Sequence, residues 1–423
     1  MADTNFPICT PECESVVKTL LANPTVAAAI KQAETEHEKR IAEQIELVET
    51  PAPPFKEEKR AAVFAKMLHE AGIEDVKQDA LGNVIGRYKG TGAGPVLVVG
   101  AHLDTVFPEG TPIKVRKEGS VYYAPGISDD AAGLASLLQV VRAITTQKIE
   151  TVGDIVFVGT LGEEGNGDLR GSKAIWNAPN DYDGMIAIDS ASVNRLLRGG
   201  VGCKRYRITF EGPGGHSLHK FGIAGSAIHG ICRLVYKIDN VVVPKEPRCT
   251  FNVGVIRGGT SVNAIAAQAE IELDIRSLEQ HSLETFVASI LPLVDEAVKE
   301  ENEYWHLEEA GRISARIDQI GDRPAGTSPD DSPVIQASYG AMKALGIELR
   351  KYNHGATDQN VPLSRGIPAT TLGAGGTEDF NHSVKEFWNA EKAYEGPQLT
   401  LLTTLTLVGV KGVTEPVLPK RNH

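Results

Sequence analysis

Cysteine is scarce in this chain: five residues in 423, at positions 9, 13, 203, 232 and 249. They are too few and too scattered for a disulfide framework, which excludes the small stapled secreted class and points to a reducing cytoplasm. Cys9 and Cys13 are near enough in sequence for a metal or redox pair, but no second pair follows, and two ordinary thiols near a frayed end are the alternative. Basic charge is also in deficit. Lys and Arg number 43 against 55 Asp and Glu, a net charge of −12. Phosphate binding needs a basic face, so nucleic acid is excluded as a partner. No apolar run approaches the length of a membrane span, so no membrane is expected. The stretch MADTNFPICTPECE lacks a basic start followed by an apolar core, and no secretory signal is expected there. There is no internal repeat and no low-complexity block. What remains is ordinary globular composition, 41% hydrophobic and 23% charged. The length exceeds one compact core, which implies two domains.

Residues 25–49 read as a charged helix, and TPAPPF at 50–55 as a proline-rich break. From Lys56 to Glu70 apolar residues recur at helical spacing (Phe64, Met67, Leu68), with Gly72 as a C-cap. The pattern then changes. PVLVVGAHLDTV, DIVFVGTL and MIAID each hold a short continuous apolar run, and helical stretches alternate with them. Between the first two, Leu134, Leu137, Leu138 and Val141 form a helical stripe. Such alternation predicts an α/β fold with a mixed, mainly parallel sheet sandwiched by helices. From about residue 200 the texture becomes β-α-β-β-α-β: CKRYRITFEG, AIHGICRLVYKI, TFNVGVIRGG, AQAEIELDIRS, LETFVASILPLVDEAVKEE and ISARIDQIG. That order predicts an inserted ferredoxin-like α+β module. After about 322 the alternating style returns, with a helix at SPVIQASYGAMKALG, a strand at PATTLGAG and a last helix near 391–410. The expected division is a main domain of 1–199 plus 323–423 and an inserted domain of 200–322.

In parallel sheets ligands sit beyond the carboxyl ends of the strands, so the polar residues just after each run carry the interest. His102 and Asp104 stand two apart in GAHLDTV, which puts them on one face of a strand. They suit a metal-binding histidine with its carboxylate partner, or a plain hydrogen-bonded pair at a strand end. Asp129 and Asp130 open the striped helix, where an aspartate also serves as N-cap. Glu163 and Glu164 lie side by side in VGTLGEEGNG, where the alternative is a solvated acidic loop. Asp189 ends MIAID, a place that also suits a turn aspartate, and His382 lies in GTEDFNHS. Singly, each has an ordinary structural explanation. Together, His102, Asp129, Glu164, Asp189 and His382 supply two imidazoles and three carboxylates without sulfur, a set that suits zinc, manganese or cobalt. Three carboxylates and one hydroxide balance two dications. One glutamate of the pair is then left to handle protons, and the field of the ions makes its neighbouring charge tolerable.

The stretches GAHLDTV, PGISDDAAG, GTLGEEGNG, AIDS, GPGGHS, GGTSVNAIAAQAEIELDIRS and GGTEDFNHS occur in that order between about 40 and 410. This ordered set resembles the co-catalytic zinc exopeptidase superfamily of peptidase T, carnosinase-type dipeptidases, carboxypeptidase G, aminoacylase and succinyl-diaminopimelate desuccinylase, and most of all its peptidase T-like members. The resemblance implies that His102 and Asp189 serve one metal and His382 and Glu164 the other. It implies that Asp129, third after Gly126, bridges both, across a cis Asp129–Asp130 peptide. It gives Glu163 the role of general base, while Asp104 orients His102. It implies that the inserted domain is a lid and dimerisation domain, so that a homodimer is expected through 200–322. His216 in GPGGHS, Asn263 in SVNAI and Arg276 in DIRS become candidates for holding the substrate, His216 in its own or a partner subunit. For Arg276 a lid salt bridge stands as the alternative. Gly355 and Asp358 in HGATDQN resemble a family loop near the metals, which implies either direct contact or support from behind. Two features depart from the family pattern: SDDAAG has no lysine after the aspartates, and GGTEDFN carries two extra acids.

The expected activity is metal-dependent hydrolysis of a peptide bond in short peptides, of aminopeptidase, tripeptidase or dipeptidase type. The close alternative is an amidohydrolase acting on N-acyl amino acids. A non-catalytic binding protein would have lost ligands or Glu163, and none is lost.

Overall fold

Strands Val96–His102 and Asp154–Thr160 are buried along almost their whole length. A strand without a polar face needs cover on both sides. The computed structural model, which describes residues 6–422, pairs the two in parallel within a nine-stranded sheet. The order across it runs Val76–Gln78, Val84–Tyr88, Asp154–Thr160, Val96–His102, Gly184–Ile188, Ala369–Leu372, Arg195–Gly200 and the two-residue Gly326–Thr327. Lys351–Gly355 also pairs with Arg195–Gly200. The four middle strands are parallel, and their outer neighbours Val84–Tyr88 and Arg195–Gly200 are antiparallel to them.

Alternate residues of these strands feed two separate cores. Leu97, Val99, Ile155, Phe157, Ile186, Ile188 and Leu372 face helices Ala131–Thr146 and Glu395–Val408. Val96, Val98, Val156, Val158, Met185, Ala187 and Ala369 face Leu169, Ile175 and Trp176. Each large apolar side chain buried in this way stabilises the fold by about 1.5–3 kcal/mol. The result for function is positional. His102 stands level with Thr160, and the neighbouring strands end at Ile188 and Leu372, so four loops leave the sheet at one edge.

Contact density divides the chain into a larger unit, up to Gly200 and from Thr327, and a smaller unit, Val201–Gly326. The smaller unit reaches past 322 because Ala325 N–H still donates to Gln280 Oε1 within it. It holds a four-stranded antiparallel sheet in the order Cys249–Gly258, Gln268–Ser277, Gly202–Glu211, Ser314–Arg323. Ile208, Phe210, Ile271, Leu273 and Ile275 share a core with Ile231, Leu234, Phe286, Ile290 and Val294 from the helices. The second helix of the expected pattern is two, Gln280–Ile290 and Pro292–Tyr304, because Pro292 has no N–H with which to continue the first.

Other differences from the sequence reading lie near the N-terminus. Residues 25–49 form two helices, Pro24–Thr35 and His37–Glu49, separated at Glu36, whose carboxylate accepts from Arg142 Nε at 3.0 Å. Among the described residues before them, from Phe6, Cys9 and Cys13 do not lie on a frayed end. Pro11–Ala22 is a helix capped by Thr10, and Cys9 and Cys13 are buried against Gly340. Burial pushes the Cys13 thiol up to about 12 and raises Cys9 as well, which leaves both protonated and inert at neutral pH. All five cysteines are free. No helix among the described residues is long and apolar enough to cross a membrane.

Candidate metal centre

Each loop at the carboxyl edge delivers polar groups. His102 is the last residue of its strand and is 2% exposed. Its Nε2 lies 2.9 Å from Asp129 Oδ1. The other oxygen of the same carboxylate, Oδ2, lies 3.1 Å from His382 Nε2. His382 Nε2 is also 2.6 Å from Glu164 Oε1. Asp189 completes a group with His102 and Asp129 whose ligand atoms all lie within 4.8 Å, and Asp129, Glu164 and His382 form a second such group. His102 groups in the same way with Glu163 and Glu164. Residues from four loops thus converge, with Asp129 common to the first two groups.

The loops are held from behind. The Asp129–Asp130 peptide is cis. Asp130 caps helix Ala131–Thr146 by accepting from Gly133 N–H at 3.0 Å, and its other oxygen accepts from His102 N–H at 3.1 Å. Gly126 takes φ +81°, which glycine adopts without strain, and a Cβ there would meet Thr105 Cγ2 at 2.8 Å. His382 itself sits at φ 62°, an uncommon setting outside glycine, and one that turns its ring toward Asp129.

Asp104 does more than face the histidine. His102 Nδ1 is 3.0 Å from the Asp104 carbonyl and 3.6 Å from its carboxylate. That carboxylate accepts one N–H from each of Glu163 and Glu164, both at 2.9 Å. One buried acid therefore fixes the backbone of the glutamate pair. Asp358 is buried below, where Thr160 Oγ1 donates to its carboxylate and Ser172 Oγ donates to its carbonyl at 2.9 Å. It supports the strand end at Thr160. Of the two extra acids, Asp379 is exposed, and burial raises the pKa of Glu378.

Two supports were not legible in the sequence. Glu386 accepts from Gly126 N, Ser128 N, Ser128 Oγ and Asp129 N at 2.7–3.1 Å, and so clamps the loop that presents Asp129. Burial pushes its pKa up to about 7 despite those donors. Arg60, fully buried, donates to the carbonyls of Leu103 and Thr50, both at 3.0 Å, and so pins the turn between His102 and Asp104. A lone glutamate four residues after His382 and an arginine in a charged helix carry no periodic signal. Glu386→Ala is expected to weaken metal affinity about 10–100-fold, as loss of an outer hydrogen-bonding partner does, read by chelator competition against the unaltered protein. Unchanged affinity would show that the clamp is dispensable.

The electrostatics test whether cations fit. Burial raises the Asp189 pKa to about 7, helped by the charge on Asp129. Hydrogen bonds to Asp129 and Glu164 raise His382 to about 10. Burial works against a protonated His102, yet Asp104 and Asp129 hold it well above its ordinary value. The same histidines pull Asp129 far below the carboxylate range, against the effect of burial. The shifts of both histidines and of Asp129 share one cause: the clustered carboxylates favour positive charge beside them. A nitrogen and oxygen donor set in two groups sharing one carboxylate fits a pair of divalent ions.

His216, Asn263 and Arg276 all lie in the smaller unit. His216 and Asn263 are neighbours there, since Gly215–His216 pairs with Ala264–Ile265 and Ser217 N–H donates to the Asn263 carbonyl at 3.0 Å. Arg276 Nε makes a 2.7 Å ion pair with Asp274.

The model of Peptidase family M20/M25/M40 matches residues 98–404. YqjE of Bacillus subtilis (strain 168), itself uncharacterized, is 26% identical over 355 residues, which are 80% of this chain and 91% of its own length. A tripeptidase from Staphylococcus aureus has a solved structure that superposes with a TM-score of 0.71 at 23% identity, covering 87% of this chain and 97% of its own. The YxeP protein of Bacillus subtilis, described as a dinuclear metal-binding peptidase, superposes with a TM-score of 0.66 at 16% identity, covering 89% of this chain and 99% of its own. These structural likenesses establish the mixed, mainly parallel α/β fold.

Proposed function

The chain belongs to peptidase family M20/M25/M40 and is a hydrolase of peptide or amide bonds, and we propose that it is a dinuclear metallo-exopeptidase that cleaves short peptides. The observation that carries this reading is the Asp129 carboxylate, with one oxygen against His102 and the other against His382. His102, Asp129 and Asp189 would hold one ion, and Asp129, Glu164 and His382 the other, with zinc the best match to two imidazoles and three carboxylates. When bound, two such ions supply Lewis acidity that polarises the scissile carbonyl and lowers the pKa of a water.

The remaining work falls to the chain's own groups. Glu163, 4% exposed and anchored by Asp104, takes the proton of the attacking water and returns it to the leaving amine. Asp104 keeps Glu163 and Glu164 in fixed register, so that the proton-handling acid and the metal-holding acid do not exchange places. His216, Asn263 and Arg276 are assigned to substrate binding, and the smaller unit to lid and dimerisation roles. The five free thiols suit a reducing compartment, and a cytoplasmic location is proposed on that ground. A tripeptidase and an N-acetylcysteine deacetylase are both among the proteins this chain resembles, so the substrate panel decides between the two readings. The deciding experiment sets di- and tripeptides against N-acyl amino acids, with metal content measured by elemental analysis. Two ions per chain with peptide cleavage are expected. Hydrolysis of N-acyl amino acids alone would replace the peptidase reading with a deacylase, and absence of metal would overturn both.

Assembly follows from an edge. Among the described residues Cys249–Gly258 pairs on one side only, with Gln268–Ser277, and Ile256 on it is 62% exposed. An open, partly apolar edge invites pairing with a second copy across a two-fold axis. Light scattering at micromolar concentration is expected to give twice the chain mass, and a stable monomer there would contradict it.

A further inference from the structure

The metal-holding loops also wall a groove that the proposed chemistry does not use. It has a volume of about 640 Å³ and lies entirely in the larger unit. One wall is the segment that runs into Gly126 and Asp129, and the other is the loop that carries His382. Its lining includes Lys114, Arg116 and Lys385 and no acidic residue, on a chain whose net charge is −12. Its floor is aromatic: the Tyr123 and Phe387 rings lie 5.9 Å apart, and Phe380 and Phe387 6.2 Å apart. Phe380, two residues before His382, is 53% exposed. Exposed rings beside a reactive site are characteristic of a binding surface.

We propose that this groove is a specificity site for acidic peptides, holding a substrate carboxylate beyond the scissile bond while the metal centre holds the bond itself. The proposal rests on the peptidase reading above and adds a substrate class to it. Three features favour an acidic occupant. The Arg116 guanidinium lies over the Tyr123 ring, 4.0 Å from its centre, which fixes the cation at the floor. Lys385 is exposed at the rim. Lys114 and Arg116 are paired with Glu49 and Glu118, but all four are at least partly exposed, and exposed pairs are worth only about 0–1 kcal/mol. An incoming carboxylate therefore exchanges with them at little cost, while neutral or basic peptides gain nothing from the rim.

The test is equilibrium binding of labelled hexapeptides by fluorescence anisotropy, using the full metal-loaded chain in a Glu163→Gln background so that binding is read without turnover. The peptides are Ala-Ala-Glu-Glu-Ala-Ala, its all-alanine form and its lysine form. The acidic peptide is expected to bind at least about fivefold more tightly than the alanine one at low salt, with the advantage shrinking as salt rises. Lys385→Glu is expected to abolish the preference, and Lys89→Glu, a reversal outside the groove, to preserve it. Equal affinity for all three peptides overturns the proposal, as does an equal effect of Lys89→Glu. Peptide cleavage is read in parallel on the metal-loaded protein with Glu163 intact: selective binding with no cleavage there upholds the groove and overturns the peptidase reading. Cleavage of peptides without acidic preference in binding overturns the groove alone.

Discussion

Glu163→Gln is expected to reduce turnover by at least about 10²-fold, the low end for loss of a general base, with both ions still bound and substrate affinity little changed. Glutamine keeps the size and hydrogen bonding of the side chain but cannot carry a proton. The backbone anchor on Asp104 is unaffected, because it runs through Glu163 N–H rather than the side chain. Glu164→Gln should fail differently. Glu164 Oε1 lies 2.6 Å from His382 Nε2, so removing its charge weakens the second ion group and lowers metal content. The check is paired: elemental analysis and steady-state kinetics on both variants. Near-normal turnover in Glu163→Gln, together with full metal content in Glu164→Gln, would show the two roles misassigned. Normal hydrolysis by both would remove the dinuclear mechanism.

Asp129→Asn should be more damaging still. Asp129 belongs to both ion groups, so its loss is expected to empty both sites at ordinary metal concentrations, whereas substitution of any other ligand weakens one. The ions supply several kcal/mol of charge stabilisation, and about 1.4 kcal/mol is tenfold in rate, so kcat/KM should fall at least about 10³-fold. The thermal midpoint of the unaltered protein should also drop on dialysis against a chelator, because the remaining carboxylates then repel one another. Asp129→Asn should already show the lower midpoint and respond little to chelator. A variant that keeps two ions and most of its activity would contradict the bridging role.

The features legible in the sequence were those with a local pattern. Val96–Val99 and Ile155–Val158 are short continuous apolar runs, as a strand covered on both faces requires, and the polar residues just beyond them are among those that converge. The alternation in Gln268–Ser277 was equally plain. Glu386 and Arg60 were not, because each acts through backbone groups of a loop distant in sequence, and nothing in the local string marks the contact. The helix break at Pro292 went unread, because the apolar stripe continues on either side of it. The part of Asp104 in seating the glutamate pair depends on which way a carboxylate turns, which spacing does not encode.

The position of Ala369–Leu372 bears on the order in which the protein can be made. That strand fills the place between Gly184–Ile188 and Arg195–Gly200, yet it is synthesised after the whole of the smaller unit. Until it leaves the ribosome the main sheet has a vacant lane through its middle, and two apolar faces have no partner there. The smaller unit is one continuous segment with its own core, so it can fold as it emerges. The first two hundred residues must wait. Ser328 N–H donates to the Arg198 carbonyl at 2.7 Å, which joins the returning chain to the strand it left. The entropy of closing so long a loop grows only with the logarithm of its length, so the detour slows assembly far more than it weakens the finished fold. During that wait the half-built sheet leaves apolar surface uncovered, and His382, later in the chain than Ala369–Leu372, can join the candidate metal ligands only after that strand has been made.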